Sequence, residues 1–175
     1  MRIISGKFGG RRIVTPKNLP IRPTTNLAKE SIFNILSNKS DLKNLKVADL
    51  FSGSGLIGLE FISRGADVIF VEKNIKCFQH IVKTLKLLGL DNKVFKSDVI
   101  RFLKNSEQKF DYIFADPPYN YSYEQYKQLI MLIVNNNLNL DGMLIIEHFK
   151  KNNFSDISEF KERRDYGDCS FSFFK

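Results

Sequence analysis

The feature that most constrains this chain is a series of short apolar runs that alternate with helical patterns. Runs typical of strands cover residues 47–51, 67–72, 93–96, 110–115 and 142–147, and helical patterns cover 55–63, 74–88, 99–104 and 122–135. Strands that are apolar throughout and alternate with helices are typical of a parallel sheet covered on both faces. The sequence therefore predicts an α/β fold built on a doubly wound, mostly parallel sheet.

The two ends of the chain depart from this alternation. Near the C-terminus, residues 160–166 and 169–174 flank a Gly167-Asp168 turn, which predicts an antiparallel hairpin. Residues 1–23 are basic and rich in glycine, with short strand candidates at residues 3–4 and 12–14, which indicates a small hairpin or arm. We expect a basic arm at residues 1–24 and one domain at 25–175, whose first helix covers about 25–37 and is capped by Thr24 or Thr25.

Positive charge is concentrated in the N-terminal segment. The chain has 27 Lys and Arg against 19 Asp and Glu, a net charge of +8. Seven cations and no acid precede Glu30, and a segment of one sign favours a polyanionic partner because neutralised phosphates release counterions. We expect this segment to bind RNA phosphates rather than to be only a solvated face, through Arg2, Lys7, Arg11, Arg12 and Arg22.

Several classes of protein are disfavoured by simple patterns. Cys77 and Cys169 lie far apart, and neither His80 nor His148 has spaced Cys or His partners, so we expect no metal site and no disulfide framework. No run approaches the roughly 18 apolar residues of a membrane helix, and no apolar segment follows the first charges as in a signal peptide. We expect a reduced, cytoplasmic monomer with no membrane partner.

The first chemical motif joins the first strand of the alternating region to the helix behind it. Residues 49–58 read Asp-Leu-Phe-Ser-Gly-Ser-Gly-Leu-Ile-Gly, which contains a G-x-G-x-x-G pattern. Glycines let the backbone pass close beneath a ligand, and the helix start offers free N–H groups. Glu72 ends the next strand. It follows Gly55 by roughly twenty residues, the spacing at which an acid binds ribose hydroxyls in such motifs. This pattern predicts a nucleotide-type ligand rather than a turn that only packs.

Acidic residues favour an adenosyl sulfonium over a dinucleotide. A carboxylate at Asp49, just before the glycines, would repel a pyrophosphate but could hold the methionine end of S-adenosylmethionine, directly or through water. Asp98 could accept from an adenine amino group, could cap the helix that follows, or could do both. The predicted cofactor residues are Asp49, Ser52, Gly53, Ser54, Gly55, Glu72, Lys73, Asp98, Val99 and Asp116.

The second motif, Asp116-Pro117-Pro118-Tyr119, follows the fourth strand of the series. Two prolines fix the backbone and carry no N–H. The carboxylate and carbonyl oxygens are therefore presented as acceptors, and no proline N–H competes for the ligand. Accepting both hydrogen bonds of an exocyclic –NH₂ would orient the nitrogen and make its lone pair more available to a methyl donor. Tyr119 could stack on the base. An ordinary turn is the alternative, but the preceding glycine motif and acids favour a reaction centre at these four residues.

These motifs resemble those of class I methyltransferases that modify amino groups, whose mark is (D/N/S)-P-P-(Y/F/W). The segments that resemble the bacterial small-subunit rRNA guanine-N2 methyltransferase family in particular are residues 2–7, 10–11, 22–24, 29–34, 50–55, 63–66, 70–73 and 166–167. Two departures are Lys29, where the family usually has Arg, and Leu85, where it often has Asn-Leu. The first could alter a contact with cofactor or phosphate, because Lys lacks the fork of Arg.

The resemblance implies a seven-stranded Rossmann-like methyltransferase sheet with the C-terminal hairpin supplying the antiparallel strand. It also implies S-adenosylmethionine as donor, S-adenosylhomocysteine as product, and the N2 amine of a guanine in 16S rRNA as acceptor, in an assembled or assembling 30S particle. From the residues alone, three rivals remain: a DNA adenine-N6 methyltransferase, which would share D-P-P-Y, an NAD-type dehydrogenase, and a non-catalytic RNA-binding module. The dehydrogenase leaves Asp49 and D-P-P-Y without a purpose.

Overall fold

In the computed structural model, the described part of the chain comprises residues 1–16, 19, 20 and 26–175. Its helices are α1 (Asn26–Lys39), α2 (Leu56–Ser63), α3 (Ile75–Leu88), α4 (Val99–Asn105) and α5 (Tyr123–Asn136). Its strands are β1 (Lys46–Leu50), β2 (Asp67–Glu72), β3 (Val94–Lys96), β4 (Phe110–Ala115), β5 (Leu138–Phe149), β6 (Phe160–Tyr166) and β7 (Cys169–Phe174).

The strands form one seven-stranded sheet in the order β3-β2-β1-β4-β5-β7-β6. Strands β1 to β5 pair in parallel, whereas β7 is antiparallel to both β5 and β6. The chain therefore has the predicted class I methyltransferase architecture, including the C-terminal hairpin. The strand order reverses between β1 and β4, and ligands of open α/β sheets bind at such a reversal, outside the carboxyl ends of the strands.

Alternate residues of the central strands pack into two different hydrophobic layers, which explains why their sequences are apolar throughout. In β2, Val68 and Phe70 belong to a layer shared with α1, α2 and α3. Ile69 and Val71 belong to a second layer shared with α4 and α5. Successive side chains of a strand point to opposite faces, so a sheet covered by helices on both sides needs apolar residues at every position.

Strand β5 and helix α1 are longer than predicted. Strand β5 begins at Leu138, four residues before the predicted start at Gly142. Gly142 lies inside the strand, and a Cβ there would come within 2.8 Å of the Phe110 carbonyl oxygen. This glycine therefore marks close backbone packing and not a strand end. Helix α1 continues to Lys39, past the predicted residue 37, and the predicted caps Thr24 and Thr25 lie outside the described residues.

The N-terminal hairpin, residues 1–14, forms as predicted and packs on α2. An antiparallel bridge joins Arg2 to Arg12, and Ile3 exchanges backbone hydrogen bonds with Arg11 and Gly10 at 3.0 and 2.9 Å. Ile3 and Ile13 are buried in the layer that contains α1 and α2. The hairpin is thereby fixed against the helix that follows the glycine motif. None of the helices in the described part of the chain is long and apolar enough to cross a membrane.

Candidate active site

A cavity of about 990 Å³ opens at the carboxyl ends of the central strands. Its lining includes one acid from each of four neighbouring strand ends: Asp49 in β1, Glu72 in β2, Asp98 after β3 and Asp116 after β4. The carboxyl ends of parallel strands meet at one edge of a sheet, which is why residues far apart in sequence share this cavity. The volume is within the range of small-molecule and cofactor sites.

The glycine motif forms a tight loop beneath this cavity. Gly53 and Gly55 have φ values of 54° and 74°, a left-handed conformation that side chains rarely adopt. The buried Ser52 hydroxyl donates to the Asp49 carbonyl at 2.6 Å and accepts from the Val71 N–H at 3.1 Å, so it ties the loop to β2. Gly53, Ser52 and Ser54 line the cavity. Gly55 does not: a Cβ there would face Ile81 at 3.0 Å, which indicates a packing role.

Asp49 is a buried carboxylate beside the loop. Its Oδ2 accepts from the Gly58 N–H at 2.9 Å. Burial raises the pKa of Asp49 well above its ordinary value; the Gly58 bond opposes this shift and the negative charge of Glu72 adds to it. A Cβ at Gly58 would lie 2.2 Å from the Phe70 ring and 2.9 Å from Asp49 Oδ2, so only glycine fits there. A cationic ligand group beside Asp49 would stabilise its ionised form.

Glu72 connects the end of β2 to two backbone groups. Its Oε2 accepts from the Gly53 N–H at 2.8 Å, and its Oε1 accepts from the Asn74 N–H at 2.6 Å. Each carboxylate oxygen can accept more than one hydrogen bond, so lone pairs remain for hydroxyl donors in the cavity. The two backbone bonds hold the carboxylate in one orientation, which suits a pair of ribose hydroxyls.

Asp98 acts as a helix cap in the structure. Its Oδ1 accepts from the N–H groups of Ile100 and Arg101 at 3.0 and 3.3 Å. Oδ2 lies 3.5 Å from Lys73 Nζ, and since the Lys73 side chain is 78% exposed, this ion pair contributes little to stability. Asp98, Lys73 and Val99 all line the cavity. The capping alternative is confirmed, and the adenine contact stays a prediction.

The Asp116-Pro117-Pro118-Tyr119 segment lines the same cavity as the glycine loop. The Asp116 N–H donates to the Leu50 carbonyl at 3.3 Å, and a turn is closed by a hydrogen bond from the Tyr121 N–H to the Pro118 carbonyl at 2.9 Å. The Tyr119 ring packs on Phe149 with ring centroids 4.1 Å apart at 32°. The segment is therefore attached to β1 at its start and held by an aromatic contact at its end.

Four of the five predicted RNA contacts lie on the N-terminal hairpin. Arg2, Lys7, Arg11 and Arg12 are all exposed. Lys7 and Arg11 lie over the Phe8 ring at 5.5 and 6.0 Å from its centroid. Arg22 lies outside the described residues, so its contact with RNA stays a prediction from the sequence.

Several cavity residues were not predicted as cofactor contacts. They include Phe51, Asn74, Cys77, Lys96 and Tyr121, which lie at or shortly after strand ends or in the first turn of α3. Lys29 stands out in the sequence only as a departure from the family. In the structure it lines the cavity while its ammonium contacts the Arg2 carbonyl and Glu60. No cluster of three or more His, Cys, Asp or Glu able to hold a metal occurs among the described residues.

The polar groups of the cavity fit S-adenosylmethionine. A buried carboxylate at Asp49 suits its ammonium group, and the oriented Glu72 suits its ribose. The sheet order, the glycine loop and these acids define a class I S-adenosylmethionine-dependent methyltransferase. S-adenosylmethionine is thus the cofactor of this chain.

Comparison with known proteins places the chain more narrowly. The family described as conserved hypothetical protein 95 matches residues 1–175. The ribosomal RNA small subunit methyltransferase D of Buchnera aphidicola subsp. Baizongia pistaciae is 36% identical over 150 residues, covering 84% of this chain and 75% of that protein. The protein of the same name from Haemophilus influenzae is 30% identical over 154 residues, covering 84% of this chain and 78% of its own length.

A solved structure agrees with these sequence matches. The Escherichia coli protein yhhF superposes with a TM-score of 0.85 at 27% identity, covering 99% of this chain and 96% of that one. The chain belongs to the conserved hypothetical protein 95 family, and its resemblance to the small-subunit rRNA methyltransferases is confirmed.

Proposed function

We propose that this chain transfers the methyl group of S-adenosylmethionine to the N2 amine of a guanine in small-subunit ribosomal RNA. The observation that carries the proposal is that the Asp116–Tyr119 segment and the glycine loop line one cavity. A methyl donor on the loop and an amine held by Asp116 would therefore meet. The RNA substrate is supported by two relatives whose names are ribosomal RNA small subunit methyltransferase D.

Positioning of the amine is the main task of the residues in this mechanism. S-adenosylmethionine would supply an electrophilic methyl group on a sulfonium and would leave as S-adenosylhomocysteine. The nitrogen would lose one proton, either to the Asp116 carboxylate that accepts its hydrogen bond or to water. The Asp116 carboxylate and the Pro117 carbonyl accept the two N–H donors of the amine, and neither proline has an N–H that would compete. Orienting the nitrogen toward the methyl group lowers the entropic part of the activation barrier and so raises the rate of transfer.

Tyr119 completes the acceptor site. Its ring lines the cavity and rests on Phe149, so its orientation is set before a base arrives. Stacking of a base on an aromatic side chain is worth about 1–3 kcal/mol in single-strand recognition. The target guanine would thus be held by its amine at Asp116 and by its ring face at Tyr119.

In this proposal residues 1–24, which include the N-terminal hairpin, bind the RNA. Residues 25–175 form the domain that carries out methyl transfer. Met1 and Pro20 line the cavity, so the basic segment flanks the reaction centre. The exposed cations Arg2, Lys7, Arg11 and Arg12 would contact phosphates beside the target nucleotide, together with Arg22.

The test is methyl transfer from labelled S-adenosylmethionine to separate samples of unmodified small ribosomal subunits, free rRNA and unmethylated DNA. Nucleoside analysis is expected to find the label in N2-methylguanosine from ribosomal RNA, and the two RNA samples show whether the assembled particle is required. Label in DNA adenine would overturn the substrate while keeping the chemistry. Cofactor binding with no transfer to any sample would contradict the proposal as a whole.

A further inference from the structure

Lys29 is a fully buried cation beside the cofactor cavity. Its Nζ donates to the Arg2 carbonyl at 2.7 Å and lies 3.0 Å from Glu60 Oε1, and its side chain is 0% exposed. An ammonium has three donors, and these two contacts use two of them. Within the part of the chain that the structure describes, the third donor has no protein acceptor, and the residue lines the cavity.

The charges around Lys29 do not balance. Glu60 is also 0% exposed, and its second oxygen, Oε2, lies 2.6 Å from Arg64 Nη1. The cluster therefore combines two cations with one carboxylate and carries one surplus positive charge. Burying an uncompensated charge is costly, so such a cluster is stabilised by an additional anion.

Elsewhere in the same cavity, the buried carboxylate of Asp49 shows the opposite imbalance of charge. Asp49 is buried with a backbone N–H as its hydrogen-bond donor, and the described residues provide no cation at its carboxylate. Two buried groups of opposite charge, Lys29 and Asp49, thus line one cavity. The amino-acid end of S-adenosylmethionine carries an ammonium and a carboxylate, which are the complementary pair.

We propose that Lys29 binds the carboxylate of the methionine part of S-adenosylmethionine, with Glu60 and Arg64 holding its ammonium in place. This inference rests on the cofactor of the proposed function and does not depend on the RNA substrate. Lys29 would then have two contacts of different kinds: the Arg2 carbonyl of the N-terminal hairpin and the cofactor. A purely structural Lys29 would serve only the first.

The experiment compares S-adenosylmethionine with decarboxylated S-adenosylmethionine, which lacks only that carboxylate, by calorimetric titration. The wild-type chain is expected to bind the decarboxylated compound about 10- to 100-fold more weakly, the range of a hydrogen bond between charged groups. In Lys29→Met the two ligands should bind with similar affinity, and Lys29→Arg should keep part of the preference. Lys39→Met, which removes an exposed cation from the far end of the same helix and outside the cavity lining, is the matched control and should keep the full preference.

Because the readout is a ratio of two affinities in one protein, partial unfolding of a variant does not change it. Equal affinities for the two ligands in the wild-type chain would overturn the inference even if no variant folds. A Lys29→Met protein that retains the wild-type ratio would overturn it as well. Failure of methyl transfer to ribosomal RNA with the expected ratio intact would instead count against the RNA substrate alone.

Discussion

Glu72 accepts a hydrogen bond from the Gly53 backbone N–H at 2.8 Å, so the end of β2 determines the position of the loop that follows β1. The same carboxylate is held from its other oxygen by the Asn74 N–H at 2.6 Å. An acid in this position has two functions that a sequence motif does not separate: it shapes the glycine loop, and it presents its remaining lone pairs to the cavity.

Replacing Glu72 by Ala should weaken cofactor binding strongly with a modest effect on the fold. Loss of hydrogen bonds to a charged group, each worth about 1.5–3 kcal/mol, predicts about a 10- to 100-fold rise in the Kd for S-adenosylhomocysteine. Calorimetric titration measures it. Asp67→Asn, at the exposed opposite end of the same strand, is the control and should bind normally. An unchanged Kd in Glu72→Ala would show that the acid only shapes the loop.

His148 predicts a pH dependence of stability. Its imidazole is buried and has two hydrogen-bond partners. Nε2 lies 2.8 Å from Ser172 Oγ, and Nδ1 lies 2.8 Å from the Phe149 carbonyl oxygen. Burial, as the main cause, lowers the pKa of His148 from 6.5 to about 4. The unfolded chain therefore binds a proton at this residue between these pH values while the folded chain does not, and the free energy of unfolding falls as pH drops through that window.

The loss attributable to His148 is at most about 3 kcal/mol between pH 7 and pH 4, from about 1.4 kcal/mol per pKa unit. Urea unfolding of wild type and His148→Gln at several pH values measures it, and the variant should show a smaller decrease below pH 6.5. Ser172→Ala keeps the imidazole buried and should retain the wild-type slope. Identical pH slopes in wild type and His148→Gln would refute this assignment.

The hairpin cations predict the salt dependence of RNA binding. If Arg11 and Arg12 each neutralise a phosphate, their joint replacement by Ala should lower the slope of log affinity against log salt by about 1 per contact. Filter binding of small-subunit rRNA at a series of salt concentrations is the measurement. Lys83→Ala with Lys86→Ala removes the same charge from exposed positions on α3 and should leave the slope nearly unchanged. Equal slopes in the two double variants would mean that the hairpin makes no specific contribution.

The fold could be predicted largely from the sequence because its central strands need apolar residues at every position. The alternation of such strands with helices already implies a parallel sheet, and parallel strands bring their carboxyl ends together. This is why Asp49, Glu72, Asp98 and Asp116 could be expected to meet, and the structure places all four along one cavity.

What the sequence could not show depends on packing between distant segments. The contact of Lys29 with Glu60 joins α1 to α2, and the Phe8 N–H donates to the Ser63 hydroxyl across 55 positions. Neither contact has a local pattern, since each depends on how the hairpin and α1 dock on α2. The early start of β5 was missed for a related reason: Gly142 reads locally as a boundary, but its place is fixed by the neighbouring Phe110 backbone.

The most direct test of the central claim is a single-turnover measurement with saturating labelled S-adenosylmethionine and unmodified small-subunit rRNA substrate, comparing wild type with Asp116→Ala. Removing an acceptor that orients the amine should slow transfer to guanine N2 by at least about 100-fold even with the cofactor saturating, in line with the loss of a positioned catalytic group. Transfer at the wild-type rate by Asp116→Ala would contradict the account, because the amine would then be positioned by other residues.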